Sequence, residues 1–171
     1  MENTGLKWGL IGAAASLLIS LITYLIGPKV YIYADKYISA VAILIIMYMA
    51  GKEEREKHGG YITFQEIIRP IFLTFVITAV ASTLIQLLMM KVVDPGMAET
   101  LKQVAMEGME KAKSFIGDEA YDKAMEEMEG KDFSGSFKDS ALGLAFSIIF
   151  GFGLSAIYAA IMKKKNPELV Q

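Results

Sequence analysis

The chain contains no cysteine and only one histidine, His58, among its 171 residues. Without cysteine it has no disulfide bond, no catalytic thiolate and no zinc site with sulfur ligands. A single histidine also excludes a multi-histidine metal site built within one chain. The sequence contains no recognisable nucleophile–base pair, phosphate-binding loop or metalloprotease helix motif. These absences predict a protein that is not an enzyme, needs no cofactor and has no nucleic-acid partner.

Charge is missing from long stretches of the sequence, although charged residues make up 21% of the chain. The mean hydropathy of +0.41 reflects these uncharged stretches. Ala141–Met162 carries no charge. At ~1.5 Å per residue, one helix of this length crosses the ~30 Å hydrocarbon core of a bilayer. Comparable stretches precede it, so we predict spans over about residues 8–27, 35–52, 70–91 and 141–162. The predicted fold is all-α, a four-helix transmembrane bundle in the lipid bilayer.

The first two stretches also allow other interpretations. A signal peptide fits the first, since Lys7 precedes an apolar run, but no small-x-small cleavage site follows before Lys29. In the second, only Tyr37–Gly51 is free of charge, and a re-entrant helix would accommodate that length. Tyrosines at both ends of the segment favour a full span, because tyrosine is enriched at both membrane interfaces. Between these two spans we predict a short turn over residues 29–36.

The third span follows a clear helix start. Thr63 and Glu66 fit the capping box S/T-x-x-E, in which each side chain accepts a hydrogen bond from a free backbone N–H. Pro70 lies in the same helix and is expected to tilt its axis. We therefore expect Phe64–Arg69 to lie along the membrane surface and Ile71–Met90 to enter the bilayer.

Residues 92–140 form an acidic, hydrophilic insert between the third and fourth spans. Apolar residues recur at helical spacing in Ala98–Ile116 and Glu119–Glu129, and Gly117 separates the two segments. Two short helices of high charge cannot bury a large core alone. We expect them to rest on each other, on the spans, on the membrane surface or on a partner protein.

Basic residues next to the spans predict the orientation in the membrane. With four spans, Lys7, the loop Lys52–Arg69 and the tail Lys163–Lys165 fall on one side, and the acidic insert falls on the other. Basic loops are retained in the cytoplasm. We therefore predict cytoplasmic N- and C-termini, with the insert outside the cytoplasm.

Small residues at steps of four form stripes on two of the spans. A stripe without bulky side chains lets another helix approach closely, which is how helices associate in lipid. We interpret these residues as helix-packing positions for this chain's own helices or for a partner's. They are Gly12, Ser16 and Ser20 on the first span, and Gly143, Ser147, Gly151 and Ser155 on the fourth.

A polar line with the same spacing runs along the third span and consists of Thr74, Thr78, Ser82 and Gln86. Hydrogen bonds between helices, or back to the helix's own carbonyl groups, are one interpretation. The lining of a pathway for a polar solute or an ion is the other. No ionisable residue lies at mid-membrane in the predicted spans, whereas ion-coupled transporters usually need one. This favours the structural interpretation.

Two groups of side chains in the insert are candidate metal ligands. Met106, Met109, Met125 and Met128 offer thioether sulfur of the kind that suits Cu(I). Methionine at this spacing, however, more often fills the apolar face of an amphipathic helix. The acidic residues within Asp118–Glu126 lack the alternating ligands and the turn glycine of a calcium loop. We therefore expect no bound metal.

The loop before the third span holds the remaining candidates. Gly59 and Gly60 lie beside a helix start, which is a place where anions bind. His58, in the same charged loop, is most simply a solvated residue. Glu66 and Arg69 are the charged pair closest to what a lipid-modifying enzyme would need, and an ion pair at i, i+3 explains them equally well.

The order of these features resembles a family known only as domain of unknown function 4199, made up of small four-span bacterial inner-membrane proteins. The resemblance rests on Leu25-Ile26-Gly27 at the end of the first span, on the loop Gly59–Glu66, and on Asp94-Pro95 after the third span. It covers essentially the whole chain. It implies an inner-membrane four-span protein, and it carries over no catalytic residue because the family has no assigned activity.

Two functions from different classes remain. The first is a non-enzymatic scaffold or accessory subunit that packs with or docks a membrane or periplasmic protein partner, or forms a homo-oligomer. The second is a small oligomeric transporter or channel that uses the polar face of the third span. The absence of catalytic groups and the small size of the insert favour the first.

Overall fold

The computed structural model describes residues 3–130, 133 and 135–164, and over these residues the chain is built from α-helices. Four of the helices are long and apolar enough to cross a membrane, so the predicted all-α fold is confirmed and the four-span prediction is supported. Lys165, which the topology prediction used, lies outside the described residues. The helices are α1 (Thr4–Ile26), α2 (Pro28–Lys57), α3 (Phe64–Leu88), α4 (Met97–Ile116), α5 (Asp118–Glu129) and α6 (Phe137–Met162), with a short π-helical turn at Met89–Val93.

The chain reverses between α1 and α2 at Gly27 alone. Because α2 begins at Pro28, the predicted turn over residues 29–36 is wrong. Proline suits the first helical position, since its missing N–H has no partner within the helix there and its φ is already helical. Asp35 and Lys36, which the sequence placed in a turn, are therefore carried on one of the long apolar helices.

α3 begins at a capping box. Thr63 Oγ1 accepts a hydrogen bond from the Glu66 backbone N–H at 3.4 Å, and Glu66 Oε2 accepts one from the Thr63 backbone N–H at 2.9 Å. Pro70 lies inside this helix, which continues past it to Leu88. The position of Phe64–Arg69 at the membrane surface stays a prediction.

α3 is the central helix of the bundle and contacts α1, α2 and α6. Its Ile77 lies against Gly9 of α1. Phe75, two residues earlier, lies against Gly151 of α6. Since positions two apart on a helix point about 200° apart, α1 and α6 pack on opposite faces of α3. α2 packs beside α1 and α3 and completes the bundle.

One end of the bundle joins the start of α1 to the end of α2. Lys7 Nζ and Trp8 Nε1 each donate a hydrogen bond of 2.8 Å to the Glu53 carboxylate. The start of α3 and the end of α6 also meet, because the backbone groups of Ile62 and Lys164 pair at 2.9 and 3.0 Å. The N-terminal segment, the loop Lys52–Arg69 and the end of α6, which were predicted to share one side of the membrane, thus lie at helix ends that are joined in pairs.

Much of the apolar surface of the four long helices points outward. Leu18, Leu25 and Phe146 are each more than half exposed. A soluble monomer rarely exposes so much apolar surface, whereas lipid is as apolar as these side chains. The outward surface therefore fits a membrane protein, as the length of the helices does.

The insert forms a helical hairpin of α4 and α5, with the break at Gly117 that the sequence predicted. Gly117 has a φ of 81°, a left-handed conformation that glycine adopts without strain. Met97 and Val104 of α4 are buried, and α4 packs against α2. α5 packs against α4 and buries none of its residues. The insert thus rests on the spans through α4.

Candidate functional site

A cavity of about 880 Å³ lies between the four spans, at the end nearest the insert. Its walls belong to α1, α2, α3 and α6, and α4 covers it. The volume is within the range of roughly 300–1,000 Å³ that is typical of small-molecule sites. Serine hydroxyls from all four spans line it: Ser16 and Ser20 from α1, Ser39 from α2, Ser82 from α3, and Ser140 and Ser147 from α6.

The cavity exists because α2 and α6 separate towards the insert. At their far ends the two helices are joined, since Tyr158 Oη donates a hydrogen bond of 3.1 Å to the Leu44 carbonyl and Met162 lies against Gly51. Near the insert, no described atom of another helix lies within 4 Å of the Cβ position of Gly143. The space between the helices widens accordingly.

The same gap opens the cavity sideways. Ala40 of α2 and Gly143 of α6 both line the cavity, and both are exposed at the protein surface. In a bilayer this side faces the acyl chains of the leaflet nearest the insert. The cavity therefore has one side turned towards lipid and one covered by the insert.

The small-residue stripe of α6 has two different environments along its length. Gly151 and Ser155 are buried, and Gly151 lies against the Phe75 ring of α3. Ser155 Oγ donates a hydrogen bond of 2.7 Å to the Gly151 carbonyl. Gly143 and Ser147, nearer the insert, line the cavity. Only the half of the stripe far from the insert is packed against α3.

The stripe of α1 behaves in a similar way. Gly12, Ser16 and Ser20 are all buried. Gly12 lies so close to Thr78 of α3 that a Cβ atom there would overlap the threonine hydroxyl. Ser16 and Ser20 line the cavity. Ser82 Oγ donates a hydrogen bond of 2.9 Å to Ser16 Oγ, which joins α3 to α1 at the cavity wall.

The polar line of α3 is divided between packing and cavity. Thr74 Oγ1 donates to the Pro70 carbonyl and Thr78 Oγ1 donates to the Thr74 carbonyl, each at 2.8 Å. These two hydroxyls are satisfied within their own helix, as the structural interpretation expected. Thr78, Ser82 and Gln86 line the cavity, and the Gln86 amide has no hydrogen-bond partner among the described residues. The side chains that reach the cavity thus belong to the half of the line nearest the insert.

An ionisable side chain that the sequence pattern did not reveal lies on the cavity wall. Asp35, roughly two turns into α2, lines the cavity and accepts hydrogen bonds from Ser20 Oγ at 2.8 Å and Thr23 Oγ1 at 3.3 Å. Asp35 lies where the predicted turn over residues 29–36 meets the predicted span over residues 35–52, and the turn alone was enough to explain its charge. Pro28, as a helix start signal, was the feature that would have revealed it.

α4 covers the cavity with its apolar face. Met97 and Val104 line the cavity, and Met97 packs in a buried cluster with Tyr31 of α2. Lys29 Nζ, at the start of α2, donates a hydrogen bond of 2.8 Å to Glu107 Oε1 of α4. The lysine holds the pKa of the Glu107 carboxyl below its usual range. Apolar packing and one ion pair therefore hold the cover in place.

The candidate copper ligands lie on the hairpin, away from the cavity lining. Met106, Met109, Met125 and Met128 are half-buried there, an environment that suits methionine as a filler of apolar gaps. Within the part of the chain that the structure describes, no group of three or more histidine, aspartate or glutamate side chains is placed to hold a metal ion. The acidic residues of α5 are accordingly spread over its surface.

Local structure accounts for the loop before α3. His58 Nδ1 lies 2.9 Å from the Glu54 carbonyl oxygen, one turn earlier in α2. Gly59 and Gly60 have φ values of 65° and 88°, which are left-handed conformations of the kind that end a helix. Glu66 is engaged in the capping box. The loop residues that the sequence singled out thus end one helix and begin the next.

Comparison with known proteins is informative about the family alone. The profile of a family described as "Protein of unknown function (DUF4199)" matches residues 7–164, so the resemblance seen in the sequence is confirmed. No curated protein and no solved structure matches the chain. Because the family description contains no activity, the function has to be argued from the cavity.

Proposed function

The chain belongs to the DUF4199 family of proteins of unknown function, and we propose that it binds a small polar molecule in the cavity between its spans, as the subunit of an oligomeric transporter or channel. The observation that carries this proposal is the cavity of about 880 Å³, lined by hydroxyl side chains from all four spans. The cavity therefore favours the small transporter or channel over the scaffold, the two functions that the sequence left open.

The chemistry of the walls supports binding over packing alone. Polar side chains on a cavity wall keep hydrogen-bonding capacity that water or a bound molecule can use. The Gln86 amide lacks a partner among the described residues, and the serines around it have further capacity to donate and accept. A helix bundle that needed only to pack would fill this volume with apolar side chains. A polar ligand or water supplies the missing partners.

The cavity is blocked at one end, covered at the other and open on one side. Close packing of Met162 against Gly51 blocks the end remote from the insert. The cavity is covered by α4 at the other end and open sideways between α2 and α6. Transport would require a second opening at the blocked end, or a passage completed by another copy of the chain.

Native mass spectrometry of the protein, purified in a mild detergent, tests the proposed binding. We expect a small molecule bound to the natural chain and its loss from the double variant Ser82→Leu, Gln86→Leu, which fills the cavity with apolar bulk. Gln103→Leu makes the same exchange on an exposed part of α4 outside the cavity lining, and it should retain the molecule. No bound molecule on the natural chain, or equal retention by both variants, would reject the proposal.

A scaffold or accessory-subunit role is the second candidate, and one observation favours it. α5 buries none of its residues, and Phe115, at the end of α4 beside it, is 90% exposed. A membrane or periplasmic protein partner would cover this surface. A photo-crosslinking amino acid in place of Phe115 tests this role in cells. Capture of one defined protein would support it, and recovery of only the uncrosslinked chain would reject it.

We propose the bacterial inner membrane as the location, with both termini in the cytoplasm and residues 92–140 in the periplasm. The basic residues at the ends of α1 and α2 that meet around Glu53 support this orientation. Because the chain has no cysteine, His58→Cys and Asp122→Cys are each uniquely reactive. A membrane-impermeant maleimide should label only the second in intact spheroplasts, and the reverse pattern would invert the proposed topology.

A further inference from the structure

We infer that the ligand of the cavity is an organic cation, such as a molecule with an ammonium group, and that the Asp35 carboxylate binds its charge. The inference rests on the proposed binding function, because it names the class of molecule that the cavity accepts. It is carried by the way Asp35 is held, by the charges that line the cavity and by the aromatic residues on the same wall.

Asp35 is fixed on the cavity wall through only one of its two carboxylate oxygens. Oδ1 accepts both hydrogen bonds from α1, from Ser20 Oγ at 2.8 Å and from Thr23 Oγ1 at 3.3 Å. Oδ2 accepts none from the described residues. A positioned carboxylate with an unused oxygen on a cavity wall is a strong acceptor for a charged N–H group. Ionisable groups on membrane helices are costly and typically mark binding sites or ion paths.

The side chains that line the cavity carry a net negative charge. Asp139 of α6 lines it as well, and has no hydrogen bond or ion pair to any other described side chain. Among the described lining residues Lys36 is the single basic one. Its ammonium nitrogen lies 5.2 Å from the ring centre of Tyr37, which belongs to a separate shallow groove. The field inside the cavity therefore favours cations over anions.

Two tyrosines line the same cavity as the carboxylate. Tyr31 and Tyr33, on the turn of α2 before Asp35, both line the cavity. Tyr31 is held by an edge-to-face contact with Tyr24, with 6.4 Å between the ring centres. Aromatic faces attract ammonium groups, most strongly where water is excluded. Carboxylate and tyrosine together favour an organic cation over a bare metal ion, for which the described residues offer no group of three acidic or histidine ligands.

The test uses two probe ions of the same shape and opposite charge, tetraphenylphosphonium and tetraphenylborate. Equilibrium dialysis measures the binding of each radiolabelled ion to the full-length protein in detergent. We expect saturable binding of the phosphonium that is about tenfold tighter than any binding of the borate. Asp35→Asn removes the charge but keeps an acceptor oxygen for Ser20 and Thr23, and it should weaken phosphonium binding about fivefold or more.

Matched variants separate the loss of charge from the loss of fold. Asp139→Asn breaks no hydrogen bond or ion pair with another described side chain and should weaken phosphonium binding about threefold. Asp122→Asn removes the same charge from an exposed position of α5 and should leave binding unchanged. The melting temperature of each variant shows whether the bundle is intact.

The outcomes distinguish this inference from the function on which it rests. Equal binding of the two ions, tighter binding of the borate, or unchanged phosphonium binding in Asp35→Asn would overturn the cation inference. If neither ion binds saturably while native mass spectrometry finds a bound molecule, the inference falls and the binding function stands. If no bound molecule is found either, both fall.

Discussion

The ring of Phe75 on α3 lies directly against Gly151 on α6, so that a Cβ atom at Gly151 would overlap it. Gly143, on the same stripe of α6 but nearer the insert, has no described neighbour within 4 Å of its Cβ position. The two glycines mark the packed part of α6 and the part that lines the cavity. The same residue type thus has opposite roles at the two ends of one helix.

Gly151→Ala should destabilise the bundle by about 1–3 kcal/mol, because the added methyl group forces the Phe75 ring or the whole of α6 to move. Reversible unfolding in sodium dodecyl sulfate, followed by the fluorescence of the single tryptophan Trp8, measures the change. Gly153→Ala is the matched control, since its Cβ position is open. Equal unfolding midpoints for the two variants would contradict this packing.

Gly12→Ala should also destabilise the bundle, because the added methyl group overlaps a residue on α3. The loss of stability should depend on that one residue, Thr78. The new Cβ meets Thr78 Oγ1 on α3. Thr78→Ala removes that oxygen, so the double variant should recover about 1 kcal/mol or more relative to the sum of the two single changes. Thr83→Ala, five residues further along α3, should show additive behaviour with Gly12→Ala. Additivity in both pairs would argue against contact between Gly12 and Thr78.

Cysteine labelling should distinguish the cavity half of the polar line from its packed half. Gln86→Cys is expected to react with a small hydrophilic methanethiosulfonate at least about tenfold faster than Thr74→Cys, because Gln86 is exposed on the cavity whereas Thr74 is fully buried. The chain has no cysteine of its own, so there is no background. Similar rates at the two positions would mean that water does not enter the cavity.

The ion pair between Lys29 and Glu107 should control access beneath α4. Glu107→Gln removes the charge that holds the cover to α2, and it should raise the labelling rate of Gln86→Cys by a few-fold at most, since both partners are half exposed. Gln103→Cys, exposed on α4 itself, is the reference for reagent chemistry. If the ratio of the Gln86→Cys and Gln103→Cys labelling rates is unchanged by Glu107→Gln, the ion pair does not hold α4 over the cavity.

The same pair predicts a dependence on pH. Lys29 lowers the pKa of Glu107, so the attraction is fully present above the ordinary carboxyl pKa of ~4.3 and is lost as the pH falls through the lowered value. The labelling ratio should therefore be constant at neutral pH and rise only in acid. In Glu107→Gln it should be raised at every pH, and an acid-dependent rise in that variant would point to another titrating group.

Several elements were predictable because their causes are local. The absence of charge from Ala141–Met162 was enough to predict a span, and α6 contains the whole stretch. Thr63 and Glu66 marked the start of α3, since a capping box involves residues only three apart. The turn predicted over residues 29–36 is wrong, because the charged residues there lie on a helix that already begins at Pro28.

The distribution of apolar and charged residues along the chain determined the four apolar helices and the acidic hairpin. Helix formation and insertion into lipid depend on short stretches of sequence, so these elements could be predicted. The same distribution did not determine how the helices pack against one another. The hydrogen bond between Ser82 and Ser16 joins residues far apart in the chain, and so does the contact between Phe75 and Gly151. The central position of α3 and the separation of α2 from α6 emerge only when those distant contacts form together. That separation turns polar residues that look like packing positions into the walls of a cavity.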